Sequence, residues 1–299
     1  MYYLIANPTA GRGRARAALD KVRVFFSERQ LPFETHLTSE PTHATKIVEK
    51  LPENAIVISL GGDGTVHEIA RACIGTNRTV GILPAGSGDD FAFGLGIYRH
   101  DLDQALAIIQ QGHTVMVDTA LVNGAPFINA FGVGFDADVA HAVRSAPRPL
   151  RGRSAYLYAI FTILGKLETS QVSIAVDKQE VFKGESLLVS TQNGPRVGGS
   201  FLFYPEAKLF DGMLEVIVAG KFNRLETVSL LPKLMKGHHL QHPKVHVFKG
   251  KNIKLVWEKP RGGHMEGELF EADSRFDISI NPKSLKVVVP KEKAPPKRG

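Results

Sequence analysis

A single cysteine, Cys73, stands in a chain of 299 residues. No intrachain disulfide can form, and a cysteine-based zinc site is excluded. That usage fits a reducing compartment, so a cytoplasmic chain is expected. No apolar run reaches the ~18 residues that a membrane-spanning helix needs. The longest candidate, Ala155 to Leu164, is short and interrupted by tyrosines and a threonine. The opening Met1-Tyr2-Tyr3-Leu4-Ile5 lacks a basic leader and soon turns polar, so no signal peptide is read there. The expectation is a soluble protein whose membrane contact, if any, is peripheral. There is no Gly-x-x-x-x-Gly-Lys-Ser/Thr, which excludes a Walker-type phosphate loop, and Gly11-x-Gly13 lacks the third glycine of a dinucleotide fingerprint. No internal repeat is present.

Apolar residues make up 43% of the chain and charged residues 22%, an ordinary globular composition. The length predicts two domains. A formal net charge of +7 favours anionic partners, whether nucleotides, nucleic acid or acidic lipid, without choosing among them.

The first third alternates strand and helix patterns. Tyr2–Ala6, Phe33–Leu37, Ala55–Leu60 and Thr79–Leu83 read as strands. Between them Ala15, Ala18, Leu19, Val22, Phe25 and Phe26 keep helical spacing, as do Ala44, Ile47, Val48 and Leu51, then Val66, Ile69, Ala70 and Cys73. Leu102, Ala105, Leu106 and Ile109 form one more helix, with Gly112 as its cap. This succession predicts a Rossmann-like α/β domain with a mostly parallel sheet. Near residue 114 the pattern changes. Thr114–Val122, Asn123-Gly124 and Pro126–Phe131 read as a hairpin. Strand-like runs then dominate: 172–176, 186–191, 214–219, 244–248, 253–257, 276–280 and 285–289. Helices are read at 155–167 and 225–235. The second domain is therefore expected to be mainly antiparallel β. The domains are placed at 1–117, rejoined by 284–299, and at 118–283. The basic, proline-rich tail Lys291–Gly299 is expected to be disordered.

The strongest local signal is Gly61-Gly62-Asp63-Gly64-Thr65-Val66-His67-Glu68, where a strand feeds a glycine-rich turn that opens a helix. Glycines let a phosphate approach the backbone, and a helix N-terminus offers free N–H groups and partial positive charge. Asp63 would repel a polyphosphate. It makes sense if it contacts a metal or accepts hydrogen bonds that fix the turn. Two further loops follow strands of the same sheet, Asn7-Pro8-Thr9-Ala10-Gly11-Arg12-Gly13-Arg14 and Pro84-Ala85-Gly86-Ser87-Gly88-Asp89-Asp90-Phe91-Ala92. In a parallel sheet all three fall at the carboxyl ends of strands, where ligands bind. Glu266 and Glu268 would share one strand face, because the side-chain period is two. Two like charges there would raise one pKa, which suits a base.

Together the three loops resemble the diacylglycerol kinase catalytic family, which also holds the sphingosine kinases and bacterial lipid kinases. Asn7-Pro8-x-Ala10-Gly11, Gly61-Gly62-Asp63-Gly64-Thr65 and Pro84-x-Gly86-Ser87-x-Asp89-Asp90-Phe91-Ala92 look like that family's first three motifs. Gly132-Val133-Gly134-Phe135-Asp136-Ala137, Pro205-x-Ala207, Asp211-Gly212-Met213-Leu214 and Glu266-Gly267-Glu268 follow in family order. The resemblance implies ATP bound in the cleft between two domains and transfer of its γ-phosphoryl to a lipid hydroxyl, diacylglycerol-like or related. Asn7, Pro8, Thr9, Ala10, Gly11, Thr38, residues 61–68 and Ser87 would contact the nucleotide. Asp211 would ligate Mg²⁺ together with backbone carbonyls of Lys208 and Met213. Glu268 would take the hydroxyl proton, with Glu266 and Asp63 as the other catalytic carboxylates. Implied partners are a membrane lipid substrate at the inner membrane face and no nucleic acid; a homodimer is compatible. Gly-Gly-Asp-Gly-Thr is shared with NAD kinases, so an NAD kinase-type phosphotransferase is the second reading. A nucleotide-binding regulator with weak catalysis is the third. It is motivated by Glu266 and Asp89, where the family usually has Asp and Asn.

Three weaker features complete the reading. His238, His239, His242 and His246 lack a nearby carboxylate and read as a surface loop, not a metal site. Asp136 and Asp138 lie in a glycine-rich segment and either reach a lipid head group or make structural hydrogen bonds. Arg144, Arg148, Arg151, Arg153 and Lys166 flank the 155–167 helix, either as a solvated basic face or against anionic lipid.

Overall fold

The computed structural model describes residues 1–98, 100–147, 149–150 and 153–293. Arg148 and Arg151 of the basic run, and residues 294–299 of the tail, lie outside them. Two compact units are formed, Met1–Thr119 with Pro282–Gly299, and Ala120–Asn281.

The first unit contains β1 (Tyr2–Ala6), α1 (Ala10–Glu28), β2 (Phe33–Leu37), α2 (His43–Glu49), β3 (Ile56–Gly61), α3 (Asp63–Cys73), β4 (Thr79–Pro84), α4 (Asp90–Gly94) and α5 (Leu102–Gln111). Its strands are all parallel, in the order β2-β1-β3-β4, and Lys286 and Val287 add a parallel edge beside β4. β3 and β4 are buried almost throughout, as parallel strands covered on both faces are. The register brings the strand ends level. Ala6 lies opposite both Leu37 and Leu60, and Gly61 opposite Pro84. α1 buries Ala15, Leu19, Val22 and Phe26 along one stripe, and each fully buried large side chain contributes roughly 1.5–3 kcal/mol. Asp101 caps α5 by accepting from the Gln104 amide at 2.8 Å, and Gly112 ends it in the left-handed region with φ 66°.

The second unit is an antiparallel β sandwich with helices on one side. β5 (Thr114–Val122) leads into it, and Asn123-Gly124, at φ 47° and 83°, turns the chain into β6 (Ala125–Phe127). There follow β7 (Ala130–Gly134), α6 (Phe135–Arg144), α7 (Arg153–Ile163), β8 (Ser170–Val176), β9 (Gln179–Ser186), β10 (Leu188–Gln192), β11 (Leu214–Ala219), α8 (Arg224–Leu234), β12 (Val245–Gly250), β13 (Asn252–Met265) and β14 (Glu268–Val288). One sheet runs β12-β11-β10-β7 and continues into Gly263–Met265 of β13. The earlier half of β13, Ile253–Trp257, pairs with β8, and β8 with β9. Register shifts between Val256 and Gly263 let β13 serve both layers. Phe127, Phe131, Val216, Leu255, Trp257 and Phe276 belong to the core they enclose. A second core packs α6, α7 and α8 on the outer face of the first sheet.

Four expectations need correction. No helix was read at α6, which follows a glycine-rich segment. Asp136 and Asp138 in its first turn and His141 and Arg144 in its last suit the helix dipole. β9 was not foreseen, because the turn before it uses Asp177 and Lys178 at positive φ, not glycine. The last two short strands are one continuous strand, β14. The start of the tail, Lys291–Lys293, forms a 3₁₀ turn.

Candidate functional site

At the carboxyl edge of the first sheet the chain brings Asn7, Thr38, Gly61 and Pro84 level. The Thr38 amide donates to Ala6 O at 2.9 Å, and the Asn7 amide to Leu60 O at 3.0 Å. Asn7 organises the first loop. Its Oδ1 accepts from the Thr9 amide at 3.1 Å and the Thr9 hydroxyl at 2.8 Å, while Nδ2 donates to Thr65 Oγ1 at 3.4 Å. Gly11, Arg12 and Gly13 follow in the left-handed region, at φ 59°, 64° and 86°, so regular helix begins only beyond them.

The three loops are packed against one another through backbone. A Cβ on Gly86 would lie 2.4 Å from Gly62 Cα, and one on Gly11 would lie 1.8 Å from Ala85 O. Arg14 donates to Gly86 O and ties the first loop to the third. Asp63 does the same for the second and third. Its Oδ2 accepts from the Asp89 amide at 2.7 Å and its Oδ1 from the Asp90 amide at 2.6 Å. Of the two roles open to Asp63, these bonds serve the one that fixes the turn. Asp89 stands at φ 57° and accepts from the Gly86 amide at 2.9 Å, a conformation that Asp and Asn tolerate.

The nucleotide positions expected in 66–68 are committed to the fold by their side chains. Val66 and His67 are buried. Glu68 reaches back to α2, accepting from the Thr42 amide at 2.9 Å and the Ala44 amide at 3.0 Å. Gly64, Thr9 and Ser87 are exposed, while Pro8, Ala10, Gly11, Thr38 and Gly62 are partly so.

The remaining positions belong to the second unit. Glu266 and Glu268 do not share a strand face. Glu266 and Gly267, at φ 55° and 79°, form the two-residue turn between β13 and β14, and Met265 pairs with Glu268 across it. Glu266 Oε1 accepts from the amides of Ile128, Asn129 and Ala130 at 3.0, 2.7 and 3.3 Å. Its longer side chain thus anchors the turn, and Glu268 stands exposed at its far side.

Asp211 was expected to hold Mg²⁺, and the residues present do not fit that ion. Lys249 Nζ lies 2.8 Å from Asp211 Oδ2 and 2.9 Å from Glu215 Oε1, and the Met213 amide donates to Asp211 Oδ1 at 3.1 Å. A dication on Asp211 would sit against an ammonium that the two carboxylates hold well above its ordinary pKa. Chelation with EDTA is expected to leave the melting temperature unchanged. A drop of several degrees would show a structural dication after all.

Two features escaped the sequence reading. His264 is buried beside Asp136, Nε2 to Oδ2 at 2.9 Å, and Ser190 and Gln192 extend the chain of polar contacts. Burial, the largest influence, pushes the imidazole pKa down, but the charge and hydrogen bond of Asp136 together with the charge of Glu266 outweigh it and the net shift is upward. Asp136 also forms part of the wall of an otherwise apolar cavity lined by Tyr156, Ile160, Phe201, Leu231 and Leu234. The histidine run corrects another expectation. His239 is not on the surface but buried, and burial pushes its pKa down to about 4.

An α/β unit carries three interlocked glycine loops at one sheet edge and is followed in the chain by an antiparallel sandwich. Residues 1–122 match the diacylglycerol kinase catalytic domain, and residues 129–289 match the YegS C-terminal NAD kinase beta sandwich-like domain. The chain is 30% identical over 296 residues to a diacylglycerol kinase of Bacillus subtilis (strain 168), covering 97% of each. It belongs to the diacylglycerol kinase family. A crystal structure of a chain from Bacillus anthracis str. Sterne superposes with a TM-score of 0.78 at 26% identity, covering 97% of both. An NAD kinase from Archaeoglobus fulgidus in complex with ATP shares the fold, with a TM-score of 0.54 at 13% identity over 98% of this chain and 96% of that one.

Proposed function

We propose that this kinase transfers the γ-phosphoryl of ATP to the hydroxyl of a lipid, a diacylglycerol or related glycerolipid, in the cytoplasm. The observation that carries the acceptor class is the apolar cavity of the second unit, whose single charged lining residue is Asp136. Such a cavity suits an acyl chain and offers little to a large polar dinucleotide. The names of the relatives support the same class. The three loops of the first unit suit the nucleotide's phosphates, with Mg²⁺ carried on those phosphates and not on Asp211. Phosphoryl transfer then needs positioning, charge neutralisation and a carboxylate that takes the hydroxyl proton. Glu268 is the candidate for the proton, and Glu266, fixed by three amides, is the residue that positions it.

ADP release is the direct test. With ATP and Mg²⁺ present, ADP should appear only when a diacylglycerol or related glycerolipid is added in detergent micelles. Glu268→Gln should lower kcat by about 10²–10⁴ with ATP binding intact. Turnover on NAD, with none on any lipid, would establish the NAD kinase reading instead.

A further inference from the structure

We propose that His264 is a positioning residue for the transfer: held by Asp136 of α6, it fixes the end of β13 that turns over to present Glu268. Glu268 owes its role here to the lipid-kinase reading; the pin is seen in the second unit alone.

Three neighbouring strands prepare the place. Ser190 on β10, Gly132 on β7 and His264 on β13 lie level with one another in the antiparallel register. Ala130 and Leu188, each two residues along, pack with the helices, so this is the helix-covered face of the sheet. The middle position has no side chain, and Asp136 fills it from α6. A Cβ on Gly132 would overlap Asp136 Oδ2 and stand 2.7 Å from His264 Nε2. The gap admits the carboxylate and the imidazole side by side, Nε2 at 2.9 Å from Oδ2, and Ser190 donates to the same oxygen at 3.4 Å.

α6 is itself seated through backbone. Gly134 stands at φ 90° before it, and the Phe135 amide donates to Leu187 O at 3.0 Å. Asp136 therefore comes from a fixed helix start, and His264 passes its position to β13. From the last turn of α6, Arg144 reaches Gly267 O at 3.5 Å. Glu266 ties the same turn to the amides of residues 128–130. The turn is thus held by the segment before β7 and by α6.

Stability alone does not account for the pair. Both side chains are buried, and apolar ones of the same volume often pack in such places without loss. Burial disfavours the imidazolium, and the charges of Asp136 and Glu266 outweigh it. What the pair supplies is a fixed length and direction. It runs from the cavity wall, which Asp136 helps to form, to the strand that ends in the turn. Reacting groups need such precision, since a displacement of about 1 Å can cost about 10²-fold in rate.

Two variants test this. Asp136→Asn keeps the shape and removes the charge. Asp136→Asn combined with His264→Leu removes the pin without stranding a buried charge. In the ADP-release assay with diacylglycerol, kcat should fall about tenfold in the first and about 10²-fold in the second, with KM for ATP unchanged. Hydrogen exchange of the full chain, without ATP or lipid, reads the turn directly. The Ile128 and Asn129 amides, which donate to Glu266, should exchange at least about tenfold faster in the double variant. A purely structural pair would lower the melting temperature and leave kcat alone. A kcat per folded protein within about twofold of wild type would therefore overturn the proposal. So would a loss confined to KM for the lipid, which would make Asp136 a wall of the cavity and nothing more. If the double variant does not fold, Asp136→Asn decides by the same kinetic criteria. Absence of turnover in wild type would defeat the lipid-kinase reading and leave the pin to exchange. Unchanged exchange at residues 128 and 129 would defeat the pin.

Discussion

Gly86→Ala is expected to lower the melting temperature by about 5–10 °C, whereas Gly64→Ala should leave it unchanged or slightly raised and cost nucleotide affinity instead. The two glycines serve different partners. A Cβ on Gly86 would stand 2.4 Å from Gly62 Cα and 2.6 Å from Asp89 Oδ1, so two loops must separate to admit it. Both neighbours are held in place, one as backbone and the other by its hydrogen bond to the Gly86 amide. The overlap has no flexible side-chain end to give way. A Cβ on Gly64 meets nothing within 4 Å. Gly64 also sits in the first turn of α3, where Ala is the better helix former. The fold therefore does not require glycine at 64, and a phosphate approaching the helix N-terminus would. ATP affinity measured by calorimetry should fall at least about tenfold in Gly64→Ala, since the methyl occupies space that the ligand needs. Unchanged affinity would move the phosphates away from that backbone.

The parts of this site that could be read from the sequence are those set by local chemistry. Glycines placed after strands mark where backbone must come close, and the alternation of periods reveals a parallel α/β unit followed by antiparallel strands. What stayed hidden depends on partners distant in the chain. For Asp63 the sequence leaves a metal contact and a turn-fixing role both open, and only the amides of Asp89 and Asp90, coming across from the third loop, choose the second. Glu68 is claimed by α2 in the same way. The Glu266–Glu268 pair was misjudged because period-two reasoning assumes a strand, and a two-residue turn with Glu at φ 55° gives no Asn-Gly signal. His239 shows the converse. A histidine among histidines suggests surface or metal, yet packing against Phe203 places it in a core.

Lys249→Met is expected to destabilise the second unit by about 3 kcal/mol near neutral pH, with a loss that shrinks as the solution is acidified. Lys249 lies directly across the antiparallel pair from Glu215, in the register that joins β11 to β12. Glu215 is only 1% exposed. Burial pushes its carboxyl pKa up, against the pull of Lys249, and the neighbouring Asp211 charge adds to the rise. Removing the ammonium leaves a buried carboxylate facing a second carboxylate. Lys249 is 41% exposed on its side chain, which keeps the expected cost at the lower end for a broken buried pair. The sign with pH follows from the direction of the shift. A carboxyl whose folded pKa stands above its unfolded value of 4.5 binds the proton more tightly in the native state. Its contribution to stability is complete below 4.5 and is lost as pH rises through the raised folded value. In Lys249→Met that folded value rises further, so the variant should recover stability relative to wild type as pH falls from neutral toward 4.5. Thermal unfolding of both proteins across that range is the measurement. A constant difference between them at every pH would mean that Glu215 does not depend on Lys249. Recovery on adding Mg²⁺ at neutral pH, in the variant alone, would show that an ammonium fills the position where a dication could otherwise bind.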